Sequence, residues 1–357
     1  MHPRRGQRAW GRGATHGRGR GGNQHPNANA NASTRLRKME LMPSVSRSSG
    51  IGVNKDADGD SLKNYRVQEE YRAFIDGKLN VFWDRYASTT IDSAERQRVE
   101  SQTNILILLR KLREGLLASG RKDAFAIEVY ETSLCLSILF ESSVASDTTS
   151  ILSWLPSMYA RTSELGASST TAPMTIIIYL LHLLLTGYPS QLAYLDYLKT
   201  LTLRRTSRQE ERERGVEPYY VWIRALACAL RRYQFTTFDK LSRATAFERS
   251  YPHLSHASSS HPRAMGPYDD LAKAAIHALL TRLRLKVRET AWGVMRRVYR
   301  EVSLSDDDKE EEQGRWLGRY LALDGGEGAE VEWMEGRMEM GHVISKKDRQ
   351  WMVCRVR

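Results

Sequence analysis

The chain has 357 residues, with 54 Lys plus Arg, 42 Asp plus Glu and three cysteines. That length holds two domains at most and leaves room for a sizeable core. The formal charge of +12 is unevenly placed: residues 1–50 carry ten bases (Arg4, Arg5, Arg8, Arg12, Arg18, Arg20, Arg35, Arg37, Lys38, Arg47) against Glu40 alone, leaving 44 bases and 41 acids elsewhere. The basic balance belongs to a tail. Phosphate affinity scales with the cations that meet phosphates, so net charge does not make the body a strong nucleic-acid binder. Cys135, Cys228 and Cys354 are far apart and form no CxxC pair, which excludes a zinc module and a disulfide framework and points to a reducing compartment. No apolar stretch succeeds the first basic residues, so the N-terminus does not read as a secretory signal.

Residues 1–62 form one compositional block. Arg-Gly steps recur at Arg5-Gly6, Arg12-Gly13, Arg18-Gly19 and Arg20-Gly21, followed by an Asn-Ala repeat from Asn27 to Ala32 and a Ser-rich stretch. Too little bulky apolar surface is present to offset the entropy of ordering the backbone, and the block reads as disordered. From Tyr65 the texture becomes helical. Tyr71, Phe74, Ile75, Leu79, Phe82 and Trp83 recur at steps of three and four, and 94–119 repeats the pattern with Gly120 as a C-cap. Further helices are expected at 123–143, 147–163, 173–187, 189–203, 217–233 and 236–247, with Pro156, Pro173, Pro189 and Pro218 near their starts. The run from Ala172 to Gly187 is too short for a spanning helix, which needs about 20 apolar residues, and reads as a core helix. Short connections imply a right-handed stack of helical hairpins over 63–268, each burying its face on the next. Exposed insertions interrupt it at 204–215 and 250–267.

Residues 269–357 differ. A long amphipathic helix over 269–302, with Leu271, Ala275, Leu279, Leu283, Val287, Ala291, Val294 and Val298 along one face, is expected to bridge the stack to a C-terminal module. An acidic loop (Asp306, Asp307, Asp308, Glu310, Glu311, Glu312), two short helices and a β-hairpin around Ser345–Arg349 complete the order of elements of a winged helix. The fold class is mainly α, a helical-repeat stack ending in a winged helix.

Arg4, Arg5, Arg8, Arg12, Arg18 and Arg20, with Trp10 as a stacking face, form the strongest chemical signal. Arginine grips phosphate and stacks on bases, which suits weak, sequence-blind RNA binding; a solubilising or methylated protein-interaction tail is the rival reading. On the winged helix, Arg315, Arg319, Lys346, Lys347 and Arg349 occupy positions where a nucleic-acid backbone docks. The acidic loop nearby would repel phosphate and favours a protein contact there. Asp56–Asp60 starts like a calcium loop but has Ser61 and Val67 where Gly and Glu are required. His253, His256 and His261 lack a rigid frame for zinc. No phosphate loop, nucleophile elbow, zincin or kinase motif is present, and Glu128, Glu131 and Glu141 read as solvated helix charges. The expected protein is therefore not an enzyme and has no cofactor, metal or membrane span.

Phe125 to Thr132, then Ala225 to Leu241 (ALACALRRYQFTTFDKL), then Leu321-Ala322-Leu323-Asp324 with Trp333-Met334-Glu335, resemble motifs of PCI-type domains. The likeness is to the GANP-type branch of nuclear mRNA-export and processing proteins, and to the related family of the smallest COP9-signalosome subunit, a proteasome-lid subunit and the k subunit of initiation factor three. It covers residues 65–357. Arg232 stands where that family usually has Asn, and the opening motif of the export proteins is missing. The resemblance implies a non-enzymatic scaffold in the nucleus, or the cytoplasm, that pairs with another PCI-domain protein. A small acidic DSS-type protein would be a further partner, and paired winged helices would offer RNA a platform. Its alternative is a structural subunit of the proteasome lid, the signalosome or the initiation factor.

Overall fold

The computed structural model describes residues 37–45, 58–86, 95–140, 145–164, 172–206, 218–251, 268–304, 311–324, 328–346 and 350–354. The chain divides into two units, Met1–Met42 and Pro43–Arg357. In the first, one helical turn at 37–40 is closed by the Leu41 N–H on the Arg37 carbonyl (3.1 Å); apart from 43–45, the rest of the expected disordered tail up to 57 lies outside the described residues, and its last part, 58–62, is instead ordered as a 3-10 helix because Leu62 is buried. The second unit is mainly helical, with one small antiparallel sheet near its C-terminal end.

A short 3-10 helix, Asp58–Lys63, lies against α1 (Tyr65–Tyr86) and α2 (Glu95–Ser119). Leu62 is fully buried and sits so close to α2 that a Cβ on Gly115 would stand 2.8 Å from the Leu62 carbonyl oxygen. Helix α2 ends at Gly120 in the left-handed region (φ +68), with Arg121 N–H on the Leu116 carbonyl and Gly120 N–H on that of Leu117. That double closure is a Schellman cap at the glycine the sequence offers. Asp123 then caps α3 (Ala124–Leu139) through the Ala126 N–H (3.0 Å). Between the two helices the buried Arg121 bonds Asp123 (2.8 Å), Glu69 (2.9 Å) and the Tyr65 carbonyl (3.3 Å), and lies over the rings of Tyr65 and Phe125. One side chain thus ties the start of α1 to the α2–α3 corner.

Consecutive helices pack on one another from α1 through α4 (Ala145–Glu164). Pro156 lies inside α4, not at a helix start, because this helix begins eleven residues earlier. Helix α5 (Ala172–Gly187) is the apolar run of the sequence and is a core helix. It packs on α6 (Leu192–Thr206), α7 (Pro218–Arg231) and α10 (Tyr268–Val298). Helices α8 (Phe235–Ser242) and α9 (Ala244–Ser250) follow α7 through tight corners. The two expected insertions fall mostly outside the described residues; Arg204–Thr206 continue α6.

Helix α10 packs against α3, α5 and α8 and is the bridge the periodicity predicts. Its face differs in detail. Ala272, Ala275, Ile276, Leu279, Leu280, Leu283, Arg284, Val287, Ala291, Trp292 and Met295 are buried, whereas Val298 is exposed. A walk of fours advances about 40° per step around a helix of 3.6 residues per turn, so it cannot stay on one face for eight turns. The helix also stops at Val298. Val302 faces the core opposite Trp351, with Glu301 and Ser303 outward, and that period of two makes β1 (Glu301–Ser303). Then come α11 (Glu311–Tyr320), α12 (Ala329–Glu339), β2 (Val343–Ser345) and β3 (Gln350–Val353), with the strands in the order β1-β3-β2. Helix, strand, two helices and a hairpin closing on the first strand is winged-helix connectivity.

Candidate interaction surface

A buried charge cluster joins the winged helix to the stack. Arg284 of α10 donates to Asp239 Oδ1 of α8 (2.8 Å), to the Ser242 hydroxyl (2.6 Å) and to the Asp239 carbonyl (3.2 Å). Its Nε lies 2.7 Å from Asp324 Oδ1. One turn on, Arg288 donates to the carbonyls of Leu321 (3.1 Å) and Ala322 (2.7 Å) and to Asp324 (3.3 Å). Asp239 also accepts two bonds from Arg243. The carbonyls left over at the C-terminal end of α11 carry partial negative charge, so two guanidinium groups there satisfy both hydrogen bonding and the helix dipole. Ala322 occupies the left-handed C-cap position (φ 50) in this grip. On the other side Trp292 Nε1–H donates to His342 Nδ1 (3.3 Å) and stands edge-on to Trp333 (4.8 Å). Arg337 covers the Trp333 ring (4.5 Å) and pairs with Glu289. Burial, then the charges of Arg296 and Arg337, lower the His342 pKa, with Glu289 opposing them.

The sheet has one buried face, with Val302, Trp351, Val343 and Val353, and one open face. On the open face Met352 of the central strand stands opposite Glu301 on β1 and Ile344 on β2. Ile344 is 51% and Met352 38% exposed. Helix α12, which packs against β2, ends in exposed Met338 and Met340. Strands β1 and β2 are the sheet edges, and neither has a second strand partner among the described residues. An apolar ridge between two open edges can take an added strand or a second apolar face, and methionine adapts to either.

A second exposed feature runs from the stack onto the winged helix. Tyr233 meets Phe235 (ring centroids 6.0 Å apart), Phe235 meets Tyr320 (5.0 Å), Tyr320 meets Trp316 (6.0 Å), and Trp316 meets Tyr299 (5.8 Å). Phe235 is buried, Trp316 and Tyr320 are half-buried, and Tyr233 and Tyr299 are 58% and 40% exposed.

The residues singled out from sequence fall in three places. Arg4, Arg5, Arg8, Trp10, Arg12, Arg18, Arg20, Lys347 and Arg349 lie outside the described residues, as do His253, His256 and His261. Arg315 is in α11, and Arg319 is exposed on that helix beside Tyr320. Lys346 pairs with Glu301 across the open sheet face, so its charge is already engaged. Glu131 is a correction: it is 2% exposed and accepts hydrogen bonds from Tyr159 and from Thr175 (3.4 Å) inside the α3–α4–α5 packing. Burial, then the Glu131 charge, raises the Tyr159 pKa and keeps that phenol a donor. Trp222 and Trp292 are buried in the core, whereas Trp316, in the aromatic row, and Trp333, under Arg337, are half-buried.

Among the described residues no group of three or more His, Cys, Asp or Glu side chains is placed to hold a metal, and no helix is long and apolar enough to cross a membrane. Comparison of the chain with family models, with curated proteins and with solved structures returns no match. The fold and the surface themselves define the class: a helical-repeat body with an integrated winged helix.

Proposed function

We propose that the chain is a non-enzymatic, PCI-type scaffold or adaptor subunit in nuclear mRNA processing or export. In this reading the winged helix binds a second PCI-domain subunit, with a small acidic DSS-type protein as a further partner, and the Arg-Gly tail holds RNA weakly. The observation that carries it is the open sheet face with Ile344 and Met352 exposed, its two edges without a second strand partner among the described residues, fixed to the stack by Arg284 and Arg288. A face so anchored suits an assembly that needs a defined angle between subunits. The GANP-type motif resemblance and the tail favour an assembly of RNA metabolism.

Affinity purification of the tagged full chain followed by mass spectrometry tests this. Stoichiometric recovery of a PCI-domain protein of mRNA export, lost on Ile344→Asp/Met352→Asp substitution, supports the reading. Recovery of proteasome-lid, signalosome or initiation-factor subunits instead assigns the chain to that alternative. For the tail, replacing Arg4, Arg5, Arg8, Arg12, Arg18 and Arg20 with Ala removes most single-stranded RNA affinity at physiological salt; undiminished binding rejects the tail's role.

A further inference from the structure

We infer that Tyr233, Tyr320, Trp316 and Tyr299, backed by the buried Phe235, form a stacking surface for the bases of single-stranded RNA, laid across the junction of helical stack and winged helix. It rests on the proposed RNA role and adds a site on the folded body that the tail does not supply. Four consecutive ring pairs, each 5.0–6.0 Å between centroids, join three separate segments of chain into one aromatic path. Buried aromatics pack in this way in any core. Here both ends of the path come to the surface instead: Tyr233 is held outward in the left-handed region (φ 54) at the end of α7, and Tyr299 follows the last turn of α10.

Arginines interleave with the rings. Arg231 and Arg232 precede Tyr233, Arg319 precedes Tyr320, and Arg297 and Arg300 flank Tyr299; all five are exposed, and none is in an ion pair among the described residues. The carboxylates close by are occupied. Asp239 and Asp324 are held by Arg284 and Arg288, and Glu301 by Lys346. Rings offering π-faces beside planar cations are what unpaired bases and their backbone need, because every base has a face to stack and guanidinium groups stack as well as bond phosphate. The acidic run Asp306, Asp307, Asp308 and Glu310 to Glu312 leads into α11 in sequence and weakens phosphate attraction at this place. Stacking therefore carries the contact, and its salt dependence is shallow where that of the tail is steep.

The test uses the full chain and a fluorescein-labelled oligouridine of about 15 nucleotides, the site size of a few stacked segments. Affinity is read by anisotropy across a salt series, with heparin as a polyanion that lacks bases. Tyr233→Ala/Tyr299→Ala removes the two exposed rings and leaves buried Phe235 and half-buried Trp316 in place. It is expected to weaken oligouridine binding about tenfold or more, about 1.4 kcal/mol, without changing heparin binding. Tyr233→Phe/Tyr299→Phe keeps the rings and keeps the affinity, and quenching of tryptophan fluorescence on RNA binding is lost in Trp316→Phe. Unchanged oligouridine affinity in the alanine variant overturns the inference, as does an equal loss on heparin. So does a loss of a co-purifying protein with RNA affinity intact, which makes the row a protein contact. The alanine-substituted tail separates the two readings: if it alone abolishes binding, the stacking surface fails and the tail stands, and if only the ring variant loses affinity, the tail fails and the surface stands.

Discussion

Replacing Asp239 with Ala tests whether the charge cluster at the junction acts as an energetic unit. Asp239 is 1% and Arg284 4% exposed at the side chain, so the substitution leaves a guanidinium in the interior without its one buried carboxylate partner. Breaking a buried pair by removing one partner costs about 3–5 kcal/mol. Asp324 still lies 2.7 Å from Arg284 Nε, and the Arg243 contact is more than half exposed, so the expected loss is at the low end, about 3 kcal/mol. For the larger unit, Pro43–Arg357, that lowers Tm by roughly 4–5 °C. Thermal unfolding of the full chain, followed by far-UV circular dichroism, reads it. Arg284→Met on top of Asp239→Ala removes the stranded charge and is expected to recover part of the loss, a coupling that a double-mutant cycle isolates. A single-substitution cost below about 1 kcal/mol, or a double variant no more stable than Asp239→Ala, would refute the view that these charges are coupled.

Other substitutions probe separate features. Gly115→Ala drives a Cβ to 2.8 Å from the Leu62 carbonyl and 2.9 Å from its Cβ, and because backbone has to move, a loss of about 1–3 kcal/mol is expected in urea unfolding. Tyr233→Gly relieves a left-handed tyrosine and should gain about 1 kcal/mol in the same assay while weakening oligouridine binding. His182, His277 and His342 all have pKa values lowered, first by burial. The unfolded chain then binds more protons than the fold just below the usual histidine pKa of about 6.5, so stability is full above that pH and falls as pH drops through the lowered values. Substituting His342 with Asn, which can still accept from Trp292, should flatten part of that fall in a pH series of thermal melts.

Much of the helical order is legible in the sequence because it depends on local periodicity. Tyr71, Ile75, Leu79 and Leu109, Leu112, Leu116 face the core as their spacing predicts, and Gly120 caps α2. The winged-helix order is legible from the two apolar runs around a polar turn. The pieces that sequence hides are those fixed by distant partners. Arg284 lies beside Leu283 and Val287 on the inward face of α10, and Asp239 follows buried Phe238, yet nothing local says that the two meet 45 residues apart. Glu131 reads as solvated because one helix alone cannot show that Tyr159 and Thr175 close over it. Strand β1 reads as helix because three residues are too few for a period to stand out, and its pairing partner Trp351 is 49 residues away. The aromatic row is out of reach for the same reason, since its rings come from α8, from α11 and from just beyond the ends of α7 and α10.

The grip of Arg284 and Arg288 on the last turn of α11 makes the C-terminal module inseparable from the helices before it. A fragment begun at Glu301 would leave the Leu321 and Ala322 carbonyls without their donors, while one begun at Tyr268 would take Arg284 away from Asp239 and leave that carboxylate to Arg243 alone. By connectivity the winged helix is a module, but in its hydrogen bonding it is the end cap of the stack. Any protein that seats on its sheet is thereby held in fixed register with the hairpin core.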